Sequence, residues 1–565
     1  MSAACHAGRV QVDSGIALAA LAMLVVAGAA AIGPRLKVPA PLILVALGVG
    51  VSLLSPLGLA LEVPPEVVLA GVLPPLLYSA SVSLPAMDLR REFGTVSVLS
   101  VVLVVVSALV LGLVFTWLIP GLDYGWGVAL GAVISPTDAV ATSIVKQANT
   151  SHRISAILEG ESLLNDASAL VILRAAVVGA GATISLWNVL GQFAWAVAGA
   201  VLIGIVVGRL SLWLRRRVTD PTVNTVLSFT VPFIASLPAE ALHASGLVAA
   251  VAAGLVVGRR APRVLSPQTR QNDENNWATV SLVLEGAIFL FMGLEIAKIL
   301  DDAGGPAVGV TALGFAAIAL VVVLLIRAAF VAPLLGLLAL NAKRGPESRQ
   351  RVEEMQRQLE AGEPVVVRTP GGRDKRFDQP RGPRTFDAQR FQRRITQVLA
   401  DLDYLTSSRL GPREGAVIVW AGMRGAVTVA AAQTIQATGA TGSLPEDQRN
   451  LLVLIAFGVA ALSLLLQGGT LTLLIRVLKP AVDDPAQLRD EQSKVLAMVR
   501  DTANAVEEQP GESRKQFHLR RLKASREALL DARDLGVYDA AVLGHALATV
   551  DSGQITLEMQ GGPTG

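Results

Sequence analysis

Long apolar runs separated by short polar breaks recur along this chain. Thirteen can be drawn, at about 14–33, 39–54, 65–83, 94–119, 124–146, 153–180, 187–213, 222–238, 243–258, 276–300, 307–340, 413–436 and 449–478. A helix that crosses a bilayer needs about 20 mostly apolar residues, so the pattern predicts about thirteen transmembrane helices. The run from Gly15 to Ile32 has the hydrophobicity of a signal sequence, but it lacks a basic start and is long enough to span. It is counted as the first span.

The polar breaks alternate in charge. Arg35 and Lys37, Arg90 and Arg91, Lys146 and Arg153, Arg215 to Arg217, and Arg259, Arg260 and Arg263 fall on one side. Glu62, Glu66, Asp123, Glu240, Asp301, Asp302, Glu446 and Asp447 fall on the other. Lys and Arg concentrate in cytoplasmic loops, which places the N-terminus outside and the C-terminus in the cytoplasm. This assignment requires an odd number of spans.

Polar residues inside the apolar runs carry the chemistry. Residues 158–170 read Leu-Glu-Gly-Glu-Ser-Leu-Leu-Asn-Asp-Ala-Ser-Ala-Leu at the head of the apolar run from Ile154 to Val178. An ionised group at membrane depth costs at least about 2.5–3.5 kcal/mol, so Glu161 and Asp166 are functional candidates, whereas Glu159 lies near the helix end. At about 100° per residue, Glu161 and Asn165 share one stripe of a helix, and Ser162 and Asp166 share the adjoining one. The bland alternative is a helix start whose acids merely favour the positive end of the dipole.

Two spans carry interruptions. Ile-Ser-Pro-Thr-Asp-Ala-Val-Ala (134–141) puts Pro136 in the middle of the fifth, where it removes a backbone donor. Trp-Ala-Gly-Met-Arg-Gly-Ala-Val-Thr (420–428) puts Gly422 and Gly425 around Arg424 in the twelfth. Irregular backbone at this depth is tolerated where it is buried in protein or lines a cavity, and matched interruptions in two halves indicate an inverted-repeat transporter. Spans 5 and 12 lie seven apart, so repeats of spans 1–6 and 8–13 would superpose the breaks. A proline kink and a snorkelling arginine are the ordinary alternatives.

The expected architecture is therefore an all-α polytopic membrane protein with inverted repeats and two broken crossing helices, spans 5 and 12. The membrane domain comprises residues 1–340 (spans 1–11) and 413–480 (spans 12–13). Residues 341–412 form a cytoplasmic basic insertion with Pro-Gly-Gly and Arg-Gly-Pro breaks, and residues 481–565 a cytoplasmic helical regulatory tail with patterns near 486–507 and 514–550. Within the insertion, Phe391, Ile395, Leu399 and Leu402 have helical spacing, consistent with an amphipathic helix on lipid or with a solvated linker.

Composition agrees with this class: 52% of residues are hydrophobic and only 4% aromatic. The net charge of +3 is uninformative beside its distribution. Cys5 is the single cysteine, which excludes an internal disulfide, and the five histidines are scattered. Neither a cofactor nor a nucleic-acid partner is expected, and the protein reads as a transporter rather than an enzyme.

Gly-Glu-Ser-Leu-Leu-Asn-Asp (160–166), Ser-Pro-Thr-Asp-Ala-Val-Ala (135–141), Phe-Leu-Phe-Met-Gly-Leu (289–294) and Gly-Met-Arg-Gly-Ala-Val (422–427) together resemble the sodium/proton exchangers of the NhaP/NHE type. The resemblance covers about residues 14–480. It implies that Asp166 binds cation and proton alternately, with Ser162 and backbone near Thr137 completing a Na+ site. It also implies that Glu161 and Asn165 link span 6 to Arg424, that Asp138 sits at the crossover of the broken helices, and that Glu285 is an acidic position affecting transport. A homodimer in the cell membrane, serving pH and sodium homeostasis, is implied as well. Some relatives carry a further ligand carboxylate in the third span, but Leu-Tyr-Ser-Ala-Ser-Val (77–82) offers only Tyr78, Ser79 and Ser81.

Small hard cations take oxygen ligands, and one carboxylate with hydroxyl and carbonyl oxygens can hold Na+ or Li+. Oxygen ligands alone do not settle ionic size, so K+ stays open as the exchanged ion. A cation channel and an intramembrane protease are the rival classes, the latter needing two catalytic aspartates.

Overall fold

The computed structural model describes residues 2–36, 38–54, 67–148, 150–179, 186–302, 305–360, 365–368, 374–377, 385–407, 410–438 and 444–560. Lys37, Glu62, Glu66 and the breaks at 370–372 and 381–383 lie outside them. The chain divides into two compact units, Met1–Val331 with Ala416–Pro480, and Ala332–Gly415 with Ala481–Gly565.

Helices are the only regular elements among the first unit's described residues. Its elements are α1 (Ser2–Leu36), α2 (Ala40–Leu54), α3 (Leu73–Ser83), α4 (Ala86–Ser97), α5 (Leu103–Leu118), α6 (Tyr124–Ile134), α7 (Val140–Gln147), α8 (His152–Gly179), α9 (Leu186–Arg215), α10 (Pro221–Ala241), α11 (Gly246–Val264), α12 (Pro267–Asp302) and the first part of α13 (Pro306–Glu360). The later segment adds most of α15 (Pro412–Trp420), then α16 (Ala426–Thr438), α17 (Glu446–Ser463) and α18 (Gly469–Leu478). Among the described residues, eight helical segments, including α8, α12 and the run from α17 to α18, are long and apolar enough to cross a membrane, and several shorter apolar helices accompany them. Each of the thirteen apolar runs coincides with a helix or with two helices flanking a gap.

Local chemistry explains where these helices begin. Asp123 caps α6 by accepting from the Gly125 amide at 2.8 Å, and Asp220 caps α10 through the Thr222 and Val223 amides. α9, α10 and α11 close a small-residue core around Tyr78 and Trp277, whose rings lie 5.1 Å apart. The head of α8 is tied to α4 twice: Arg153 Nε donates to Glu92 at 2.6 Å with both side chains buried, and the His152 ring meets Asp88 at 2.8 Å. These pairs fix the rotation of α8, and with it the faces on which Glu161, Ser162, Asn165 and Asp166 stand.

The second unit joins the insertion to the tail. It contains the rest of α13, a two-stranded antiparallel hairpin of β1 (Val365–Arg368) and β2 (Asp374–Phe377), α14 (Thr385–Ser407), and α19 (Pro485–Asn504), α20 (Arg514–Leu535) and α21 (Ala540–Met559). The hairpin departs from the all-α expectation. Its strands, Val-Val-Val-Arg and Asp-Lys-Arg-Phe, alternate too briefly to stand out in a polar insertion. α19 to α21 form a three-helix bundle on Val495, Leu529, Leu543 and Leu547. Ser513 and Gln516 make a reciprocal cap at the start of α20, and Gly536 ends that helix in the left-handed region at φ 72°. The Arg520 guanidinium holds the Glu512 carboxyl below the usual carboxylate range. Gln397 of α14 donates to the Asp534 carbonyl at 2.8 Å, so insertion and tail pack on one another. Buried Glu414 accepts from the amides of Gly411 at 2.8 Å and Ala481 at 2.7 Å, binding the start of the tail to the first turn of α15.

Candidate functional site

Helical hydrogen bonding stops at Ile134 and resumes at Val140, and stops again at Trp420 and resumes at Ala426. The first gap holds Pro136 and the second holds Gly422 and Gly425. The two gaps meet, for the Asp138 amide donates to the Met423 carbonyl at 2.7 Å. Each gap leaves helix ends bare inside the protein, and charged side chains occupy them. Arg424 Nε donates to the carbonyl of Ile134, the last residue of α6, at 3.0 Å, and its Nη1 to the Gly422 carbonyl. Arg327 Nε and Nη2 both donate to the Ile418 carbonyl, near the end of α15, at 3.0 Å. A cation at a helix C-terminus is favoured by the dipole and satisfies carbonyls that have no partner within the helix.

The opposite ends share one carboxylate. Asp138 Oδ1 accepts from the Val140 amide at 3.0 Å, at the start of α7, while its Oδ2 lies against Gly425 at the start of α16. A side chain at 425 would overlap that carboxylate. Gly422 likewise leaves the room in which the Arg327 guanidinium lies.

α8 faces this crossover. Ser162 Oγ donates to the Thr137 carbonyl at 2.9 Å, and Asn165 Nδ2 donates to Thr137 Oγ1 at 2.6 Å. Thr137, Ser162, Asn165 and Asp166 are all buried. Asp166 Oδ1 and Asn165 Oδ1 are buried acceptors without a hydrogen-bond partner among the described residues. A buried carboxylate oxygen left so is costly unless protonated or bound to a cation. Glu285 stands half-buried on α12.

One expected contact is corrected. Glu161 does not pair with Arg424; its two carboxylate oxygens bind Arg327 of α13 through Nη1 and Nη2, with both side chains 1% exposed. Asn165, expected with Glu161 at Arg424, instead reaches Thr137. The reason is that Arg424 already serves the end of α6, and Arg327, aligned by the Ile418 carbonyl, presents its fork to Glu161. Sequence reasoning passed over Arg327, although it is the only charged residue between 306 and 342, a placement that itself marks a functional or paired group.

A profile described as "Sodium/hydrogen exchanger, transmembrane" matches residues 20–352, more than half of the chain. The chain belongs to the sodium/hydrogen exchanger family. Among its relatives, the Escherichia coli K12 protein named uncharacterized Na+/H+ exchanger YjcE is 37% identical over 281 residues, which is 47% of this chain and 50% of that protein. The match therefore spans about half the length of that relative. A Bacillus pumilus protein named "Sodium, potassium, lithium and rubidium/H(+) antiporter" is 31% identical over 268 residues, 46% of this chain and 40% of its own. The solved structure of the sodium proton antiporter MjNhaP1 from Methanocaldococcus jannaschii matches with a TM-score of 0.57 at 18% identity, covering 83% of this chain and 99% of that one. The fold is thus that of the NhaP-type exchanger it matches, and the family and the apolar helices make the chain a multi-pass membrane protein.

Proposed function

We propose that this chain exchanges Na+ or Li+ for H+, one for one, by alternating access, and that Asp166 is the group both ions use. The observation carrying this reading is the buried Asp166 Oδ1, without a hydrogen-bond partner among the described residues and one helical turn from Ser162, whose hydroxyl reaches the Thr137 carbonyl. Cation would bind the ionised carboxylate with the Ser162 hydroxyl and Thr137 oxygens, a hard ligand set suited to a small monovalent ion. Protonation removes both the charge and a ligand, so the two ions compete, and exchange follows if only an occupied site reorients.

The surrounding charges support a single free carboxylate. Glu161 is matched by Arg327, Asn165 carries no titratable proton, and Asp138 is held by backbone at the start of α7. Arg424 faces Ile134 as Asp138 faces Val140, so the crossover balances internally. Glu285, on α12, would be an acidic position that affects transport without binding the ion.

The same reading has thirteen crossings in two inverted repeats, the N-terminus outside, the C-terminus in the cytoplasm, and two copies associated in the cell membrane, where exchange serves pH and sodium homeostasis. A second reading, K+/H+ exchange, is favoured by the Bacillus pumilus relative, whose name includes potassium. Proteoliposomes loaded with a pH dye decide between them. Na+ and Li+ gradients should drive proton movement and K+ much less; equal rates with K+ would select the second reading. Cation flux that ignores the proton gradient would reject exchange.

A further inference from the structure

Ser463, the last residue of α17, and Gln467, between α17 and α18, are fully buried polar residues, and the exchange cycle above gives them no task. The helix there widens into one π turn, Leu464–Gly468, a device that re-aims side chains and recurs at functional sites. Both side chains point their hydrogen bonds into the second gap. The Arg424 amide donates to Ser463 Oγ at 2.9 Å, Ser463 Oγ donates to Gln467 Oε1 at 2.5 Å, and Gln467 Nε2 donates to the Trp420 carbonyl at 2.8 Å.

The two ends of this relay are a particular pair. In an unbroken α-helix the amide of residue 424 would donate directly to the carbonyl of residue 420. Two side chains are inserted in place of that one bond, and they satisfy both groups while holding the helix open. Thr470 Oγ1, just beyond the π turn, accepts from Trp420 Nε1 at 3.0 Å, and Gly468 lies against Met423. What the relay holds in place is the part of the gap that touches the first one: Arg424 on the Ile134 carbonyl and Met423 on the Asp138 amide, next to Thr137.

We infer that Ser463 and Gln467 are positioning residues of the cation site, acting as a hydrogen-bonded spacer that keeps the second helix open in the register that sets Thr137 and Asp138 against Asp166. The inference rests on the exchange reading. Loosening the spacer lets residues 420–424 relax toward helix, withdraws Arg424 and Met423 from the first gap, and weakens the ligand set.

The test is Na+-driven proton flux in proteoliposomes as a function of Na+ concentration, for the wild type, Ser463→Ala, Gln467→Met, the double variant and Ser463→Thr, with melting temperatures in detergent. Each of the first two should raise the KM for Na+ about fivefold or more, the equivalent of one net buried hydrogen bond. The double variant should be no worse than the worse single one, because both belong to one relay. Ser463→Thr, which keeps the hydroxyl, should return KM to near the wild-type value. A lowered melting temperature or maximal rate with an unchanged KM, or additive effects, would overturn the inference. Should the alanine and methionine variants not fold, Gln467→Glu decides, since it keeps the volume and the acceptor for Ser463 but loses the donor to Trp420; a wild-type KM there overturns it. A wild type that moves no protons removes the exchange reading itself, and this inference falls with it.

Discussion

Asp138 donates its backbone N–H to the carbonyl of Met423 across 2.7 Å, so the two interrupted helices are stitched together at the point where each lacks hydrogen bonds of its own. The same residue turns its carboxylate to the starts of α7 and α16, and Gly425 leaves the space for it. Gly425→Ala should therefore displace Asp138 and Thr137 from α8. Site displacements of about 1 Å can cost about 10²-fold in rate, and a loss of that order in Na+-driven proton flux is expected while the protein still purifies as a folded species. Wild-type flux in Gly425→Ala would show that the Asp138 position does not matter to the site.

The Glu161–Arg327 pair is almost wholly shielded from solvent, and its chief effect is on stability. Removing one partner of a buried pair leaves a charge uncompensated and costs about 3–5 kcal/mol, so Arg327→Ala should lower the melting temperature sharply. Glu161→Gln in the Arg327→Gln background should recover much of the loss. Arg424→Gln combined with Glu161→Gln should show no such recovery. Recovery with Arg424 instead of Arg327 would restore the pairing first expected from the sequence.

Much of this arrangement is legible in the sequence. Apolar length locates the helices, Pro136 and the glycines at 422 and 425 locate the two gaps, and helical spacing puts Glu161 and Asp166 on different faces of one span. The choice between Arg327 and Arg424 is not legible, because both are arginines at membrane depth and only packing decides which fork meets Glu161. The spacer of Ser463 and Gln467 was hidden for another reason: two uncharged polar residues in an apolar run carry little signal until the gap they fill is known. The union of insertion and tail in one unit rests on contacts between segments far apart in sequence, such as Gln397 with Asp534.

Every proposed ligand precedes residue 430, and the second unit supplies none. A chain ending at Pro480 should still exchange, with a shifted pH dependence, since it loses α19 to α21 and the Ala481 amide that Glu414 accepts. Complete loss of flux in a truncated protein that remains monodisperse would place part of the mechanism in the tail.

One-for-one exchange moves no net charge. Each uncompensated charge would respond to voltage by about 2.3 kcal/mol per 100 mV. With a fixed Na+ gradient, a potassium/valinomycin potential imposed on proteoliposomes should leave the final pH difference unchanged. A pH difference that follows the imposed voltage would mean that a second group, such as Glu285, titrates in the cycle.

Proton release on cation binding tests most directly whether Asp166 is shared by the two ions. Purified protein in weakly buffered detergent solution is titrated with NaCl against a choline chloride control while the free proton concentration is followed. At a pH where the site is largely protonated, the wild type should release one proton for each Na+ bound, and Asp166→Asn should release none and bind no Na+. Na+ binding without proton release in the wild type, or release that persists in Asp166→Asn, would contradict the account.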